Sequence, residues 1–190
     1  MKNIAILASG SGTNAEAIVR YFADDSNIHV AIVISNRAKA AVHDRIAPLG
    51  VPTVTLPKED WEAGIPVVEL LRSHNIDLIV LAGFMRRIHD HIIEAYPNRI
   101  INIHPSLLPR HGGPGMWGHH VHEAVLAAGD TQSGITIHHV SSEIDGGDII
   151  FQASCPVHTD DTPDTLADRV HTLEHRHYPQ VIRRLLTHKQ

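Results

Sequence analysis

Apolar runs and helix-spaced segments alternate along the first half of the chain. The runs Asn3–Ala8, Val30–Ser35, Thr53–Leu56, Leu78–Leu81 and Ile100–His104 read as strands, and helical patterns lie between them from about Asn14, over Ala38–Leu49, Val67–Ser73 and Ile88–Tyr96. That rhythm predicts βαβ units and an α/β fold built on a single doubly wound, mostly parallel sheet. Ile4-Ala5-Ile6-Leu7, Ala31-Ile32-Val33-Ile34 and Leu78-Ile79-Val80-Leu81 are continuously apolar, as strands covered on both faces by helices must be. Function is then expected at the carboxyl ends of these strands.

The second half changes pattern. Gly112-Gly113-Pro114-Gly115 reads as a flexible connector, His119–Ala128 as a helix, and Gly134–Val140 with Asp148–Val157 as two strands around an Asp145-Gly146-Gly147 turn. An antiparallel, hairpin-like addition to the sheet follows. From about Thr162 to His188 leucines and valines recur at helical spacing behind Asp161-Thr162-Pro163-Asp164, a start signal with proline near the first turn. Pro179 is expected to break or kink this long terminal helix.

Bulk properties narrow the classes. The 190 residues suit one domain over 1–190, and 43% hydrophobic with 19% charged residues is an ordinary globular composition. No run approaches the roughly 20 apolar residues of a membrane helix, and the N-terminus lacks a signal peptide pattern, so a cytoplasmic protein without membrane association is expected. A lone Cys155 excludes an internal disulfide and reads as a small buried hydrophobe. Net charge of −5 gives no basic platform for nucleic acid.

Ser9-Gly10-Ser11-Gly12-Thr13-Asn14 follows the first strand and opens a helix, leaving backbone N–H groups and a helix dipole to meet a phosphate. With Ala15 it also fits a dinucleotide fingerprint. The acid expected after the second strand is missing, however: the chain reads Ile34-Ser35-Asn36-Arg37, where Arg37 suits at most a 2′-phosphate.

The run Arg99-Ile100-Ile101-Asn102-Ile103-His104-Pro105 places Asn102 and His104 on one face at the end of a buried strand. Glu143-Ile144-Asp145-Gly146-Gly147 supplies a carboxylate beside two glycines. Amide, imidazole and carboxylate suffice for acyl chemistry. Gly83-Phe84-Met85-Arg86-Arg87-Ile88, also after a strand, offers an apolar wall with arginines, suited to a heteroaromatic group bearing a carboxylate tail.

Taken in order, Gly12-Thr13-Asn14, Gly83-Phe84-Met85-Arg86, Asn102-Ile103-His104-Pro105-Ser106-Leu107-Leu108-Pro109 and Asp145-Gly146-Gly147 resemble the folate-dependent phosphoribosylglycinamide formyltransferases over nearly the whole length. The resemblance implies a Rossmann-like formyltransferase fold. It also implies transfer of a formyl group from 10-formyltetrahydrofolate, as co-substrate, to glycinamide ribonucleotide in purine synthesis, with no metal. Residue by residue, it implies a phosphate site at Gly12, Thr13 and Asn14, and ribosylglycinamide contacts at Gly83, Pro105 and Glu174. Folate contacts fall at Met85, Arg86, Arg87, Ile88, Ile93, Asn102, Val140 and Ile144. Asn102, His104 and Asp145 are the implied catalytic set, with His138 in support.

Those roles have a physical rationale. Attack of a neutral amine on a formyl carbon develops an oxyanion, to which Asn102 and His104 can donate, while Asp145 tunes the imidazole and orders a proton-carrying water. Small-molecule partners alone, and a monomer or homodimer, are expected. Two segments depart from the family pattern. Arg110–His120 is longer and receives no ligand contacts, and near Lys58 the register of a basic folate contact is not fixed.

Seventeen histidines stand out, including His119, His120 and His122, and the i, i+4 pair His171 and His175. Such pairs can share a metal. Without cysteines or a ligand-plus-base pattern, solvated faces are the expectation. Three competing functions remain: a 10-formyltetrahydrofolate hydrolase and a methionyl-tRNA formyltransferase, both expected to carry extra domains, and a non-catalytic folate or nucleotide sensor.

Overall fold

The computed structural model describes residues 1–187. Seven strands, β1 (Lys2–Leu7), β2 (Ile28–Ser35), β3 (Thr53–Thr55), β4 (Ile76–Leu81), β5 (Ile100–His104), β6 (Gln132–His139) and β7 (Ile149–Pro156), form one sheet. Its order is β3-β2-β1-β4-β5-β6-β7. The first five strands pair in parallel, and β6 and β7 add antiparallel. Strand order therefore reverses between β1 and β4, the place where open α/β sheets leave a crevice.

Helices α1 (Thr13–Tyr21), α2 (Val42–Ile46), α6 (His119–Ala127) and α7 (Pro163–Thr187) cover one face, and α3 (Lys58–Ala63), α4 (Ile65–Ser73) and α5 (Asp90–Ala95) the other. Alternation along β1 divides the core. Ile4 and Ile6 join Ile18, Ile46, Val125 and Tyr178, whereas Ala5 and Leu7 join Trp61, Leu71 and Ile92. Each large aliphatic side chain so buried contributes about 1.5–3 kcal/mol. Cys155 is a buried, free thiol on β7. No helix among the described residues is long and apolar enough to cross a membrane.

Four local expectations need correction. The helix expected over Ala38–Leu49 is confined to Val42–Ile46 plus a 3-10 turn at Ala47–Leu49. The Val42 N–H, which a longer helix would use internally, donates instead to the Gly10 carbonyl at 3.1 Å, and Pro48 has no N–H to continue an α ladder. Secondly, α5 starts at Asp90 rather than Ile88, because His89 Nδ1 caps it by accepting from the His91 N–H at 3.2 Å. Thirdly, α3 was not expected; its signals were the acidic first turn Glu59-Asp60 after Pro57 and the buried Trp61.

Finally, Pro179 does not break α7, which runs unbroken from Pro163 to Thr187. Tyr178, Val181 and Ile182 on either side of it are buried in the core, and the Tyr178 hydroxyl donates to the Leu81 carbonyl at 2.9 Å. Packing outweighs the missing helix bond. The helix opens on a reciprocal cap in which the Thr162 N–H donates to Thr165 Oγ1 and the Thr165 N–H to Thr162 Oγ1. His188, the expected end of this helix, lies outside the described residues.

Candidate active site

A cavity of about 500 Å³ opens where β1, β4 and β5 end. Ser9 and Gly10 after β1, Gly83 to Ile88 after β4, and Asn102, His104 and Pro105 of β5 form its floor and sides, closed by the 113–118 loop and by Val140 to Asp145. The β1 and β4 loops are laced together: the Ser9 N–H donates to the Gly83 carbonyl at 3.0 Å and the Met85 N–H to Ser9 Oγ at 2.9 Å. The crevice at the strand-order reversal is thus a built pocket.

Asn102, His104, Asp145 and His138 meet in this cavity. Asp145 Oδ2 lies 3.6 Å from His104 Nδ1, and Oδ1 lies 3.7 Å from His138 Nε2. Asn102 Nδ2 is 3.1 Å from His138 Nε2. The pairing of β5 with antiparallel β6 sets Asn102 opposite His138, so the sheet itself joins two of the four. His104 Nε2–H donates to the His111 carbonyl at 2.7 Å, leaving Nδ1 toward the carboxylate. His104 is only 4% exposed, so its ring is held rather than free to turn.

Asp145 arrives from the turn between β6 and β7. It adopts a left-handed φ of 55°, which aspartate tolerates better than most residues, and its Oδ2 accepts from the Gly113 N–H at 2.9 Å. At Gly147 a Cβ would stand 1.8 Å from the His139 carbonyl oxygen. Only a glycine lets this turn close against β6.

The apolar wall contains Met85, Arg86, Arg87, Ile88, Val140 and Ile144, all on the cavity. Met85 and Ile144 are about half exposed, at 43% and 51%, and offer apolar surface to an aromatic ligand. Arg86 pairs with Glu62 at 3.6 Å, which Lys58 also meets at 3.3 Å. Arg87 pairs with Asp90 at 2.7 Å. Ile93 is not on the cavity wall; it packs against the core beneath α5. Gly83 and Pro105 border the cavity.

The loop before α1 divides. Ser9 and Gly10 line the cavity, whereas Gly12, Thr13, Asn14 and Glu174 stand outside its wall. Gly12 takes a left-handed φ of 76° at the N-cap, with Val42 so near that a Cβ would meet its Cγ2 at 2.5 Å. Asn14 Nδ2 donates to Glu174 Oε2 at 2.8 Å, and its Oδ1 is buried without a partner. Burial pushes the Glu174 carboxyl upward, opposed by the Asn14 hydrogen bond. The first amides of α1 have no partner within the helix, so this corner presents donors.

Trp117 and Met116, from the segment in which the sequence places no contacts, line the cavity, as does Arg37, for which the sequence suggests at most a 2′-phosphate. Ser9, from the glycine loop, and Glu143, from the 140–145 loop that the resemblance sets around the pterin, line it as well. Among the described residues no group of three or more His, Cys, Asp or Glu is placed to hold a metal; the His171 and His175 rings stack at 6.3 Å.

Comparison with known proteins places this geometry in a group. The profile of a family described as formyl transferase matches residues 2–182. A phosphoribosylglycinamide formyltransferase of Bacillus subtilis is 37% identical over 191 residues, covering 98% of this chain and 95% of that protein. The chloroplastic phosphoribosylglycinamide formyltransferase of Arabidopsis thaliana is 37% identical, and this chain spans 64% of its length. Among solved structures, glycinamide ribonucleotide transformylase 1 from Symbiobacterium toebii superposes with a TM-score of 0.90 at 37% identity, over 98% of this chain and 88% of that one.

Proposed function

The chain belongs to the formyl transferase family, and from that premise we propose that it is a phosphoribosylglycinamide formyltransferase. It carries the formyl group of 10-formyltetrahydrofolate to the amine of N1-(5-phosphoribosyl)glycinamide in de novo purine synthesis. The observation that carries this reading is the convergence of the Asn102 amide, the His104 imidazole and the Asp145 carboxylate on one cavity.

In this reading the neutral amine attacks the formyl carbon, and its proton must leave as the donor nitrogen gains one. Asn102 Nδ2 keeps an N–H for the developing oxyanion, a role worth about 3–4 kcal/mol where a single donor has been removed elsewhere. His104 has Nε2–H tied to the main chain, so Nδ1, beside Asp145 at 3.6 Å, is the nitrogen that handles protons toward the substrate. Asp145 orders the water that relays the amine proton.

The folate takes the cavity, held by Met85, Arg86, Arg87, Ile88, Val140 and Ile144. The ribonucleotide reaches from the cavity edge at Gly83 and Pro105, which border its ribosylglycinamide, to the corner outside the wall. There Glu174 meets the ribosylglycinamide, and the loop with Gly12, Thr13 and Asn14 holds the phosphate. The protein acts as one formyltransferase domain in the cytoplasm, on small molecules alone, as a monomer or homodimer.

The testing experiment mixes purified protein with glycinamide ribonucleotide and 10-formyltetrahydrofolate and follows loss of the formyl group with and without the nucleotide. Nucleotide-dependent loss is expected. Loss at equal speed without the nucleotide would make it a hydrolase, and no loss at all a sensor.

A further inference from the structure

The ring of His104 is held by a contact that comes from outside the four residues grouped above. Its Nε2–H donates to the backbone carbonyl of His111 at 2.7 Å, and His111 has a left-handed φ of 53°, uncommon for a residue with a Cβ although histidine adopts it more often than most. Its side chain is anchored. His111 Nε2 donates to Asp130 Oδ2 at 2.8 Å, while Arg110 pairs with the other oxygen of the same carboxylate.

Asp130 is a rigid mount. Its side chain is 7% exposed, its N–H donates to the Val125 carbonyl at the end of α6 at 3.3 Å, and β6 begins at Gln132. Ser106 Oγ, two residues beyond His104, donates to the Arg110 carbonyl at 2.7 Å and closes the 104–111 segment on itself. One end of the segment is tied to the scaffold where His104 pairs with Thr136 of β6, the other where His111 meets Asp130.

We propose that Asp130, acting through the His111 side chain, is a positioning residue for His104. The carboxylate fixes the His111 imidazole, the imidazole fixes the peptide, and the peptide carbonyl keeps the His104 proton on Nε2 so that Nδ1 faces Asp145 and the cavity. Neither Asp130 nor His111 touches substrate in this arrangement. Positioning of this kind acts on the chemical step, because small displacements of a reacting group cost rate steeply while the binding walls stay in place.

The inference rests on His104 being the reacting imidazole, so the test carries His104→Ala alongside. In the full-length protein, Asp130→Ala is expected to lower kcat on the order of tenfold or more with KM for both substrates within about twofold. Asp130→Asn keeps an acceptor oxygen for His111 Nε2–H and is expected to restore most of the rate. Histidine ¹⁵N spectra, assigned by the signal missing in His104→Ala, are expected to show His104 as the Nε2–H form in the wild type and to lose that proton signal in Asp130→Ala. Should Asp130→Ala not fold, His111→Ala removes the same contact from the loop side and is expected to give the same loss of kcat.

An unchanged kcat with an unchanged His104 signal overturns the proposal, as does a fall in kcat matched by a rise in both KM values. If His104→Ala itself keeps activity, the reading of the site fails instead.

Discussion

Asn102 donates its side-chain N–H to Nε2 of His138 across 3.1 Å, and the direction is set by the far side of the ring. His138 Nδ1 lies 2.9 Å from the His139 carbonyl, which can only accept, so the ring proton sits on Nδ1 and Nε2 is left as an acceptor. Burial keeps this histidine below its ordinary range and hence neutral, against the raising influence of the His139 carbonyl and of Asp145. One N–H of Asn102 is thereby fixed and the other is aimed at the cavity. His138→Ala is expected to lower kcat on the order of tenfold, with little change in either KM, because Asn102 loses its orientation while remaining present. Steady-state kinetics check this, and a kcat within about twofold of wild type would show that Asn102 is held by something else.

Removing the reacting groups themselves should cost more. Asn102→Ala, His104→Ala and Asp145→Asn are each expected to lower turnover at least about 100-fold, with the ribonucleotide KM preserved. A variant that keeps more than about a tenth of the wild-type rate removes its residue from the catalytic set.

The parts of this site that could be read in advance are those governed by local periodicity. Alternation along β5 puts Asn102 and His104 on one face because side chains in a strand repeat every two residues, and the β1 to β5 rhythm locates the carboxyl edge. Contacts set by long-range closure were not readable. Nothing in Arg110-His111-Gly112-Gly113 indicates that the His111 carbonyl meets His104 or that the Gly113 N–H meets Asp145, since those bonds depend on where β6 and its following turn end up. Pro179 misled for a related reason: its local cost is outweighed by tertiary burial around Tyr178. The helix over Ala38–Leu49 failed because the Gly10 carbonyl, remote in sequence, took the Val42 amide.

Asn14 and Glu174 form a second linked pair, at 2.8 Å. Asn14→Ala leaves a carboxyl that is 5% exposed without this donor, and a stability loss of about 1–3 kcal/mol is expected in denaturant titration. A raised KM for the ribonucleotide should accompany it. Glu174→Gln keeps an acceptor for the Asn14 amide and is expected to leave stability nearly unchanged. Equal stability of Asn14→Ala and wild type would mean that the pair is solvated in solution.

Gly147→Ala tests the turn that delivers Asp145. The new methyl would stand 1.8 Å from the His139 carbonyl oxygen, a backbone atom that a rotamer change does not move. The turn has to shift, carrying Asp145 away from His104. Turnover is expected to fall at least about tenfold while the melting temperature drops only modestly, because the turn packs against the end of the sheet rather than its core. A large loss of stability with normal activity per folded molecule would contradict this.

Stability itself is expected to decline in mild acid. His122 is 2% exposed, and burial, with smaller contributions from His171, His119 and His104, lowers it to about 4; burial also lowers His138, His175 and His177. In the unfolded chain these rings take up protons near their ordinary pKa of about 6.5, whereas the native state resists doing so. The unfolded state therefore binds more protons between about pH 6.5 and 4, and unfolding free energy falls as pH falls through that window. For His122 alone the full effect is on the order of 3 kcal/mol. Glu174 works in the opposite direction, since a carboxyl raised by burial holds its proton in the native state above the pH at which the unfolded chain releases it. With one raised acid set against several lowered histidines, the net slope should follow the histidines. His122→Leu, which removes the largest lowered group and its unpartnered Nδ1, is expected to flatten the dependence. Urea titrations of both proteins across pH 4.5 to 7 decide the matter, and parallel slopes would rule out His122 as the source.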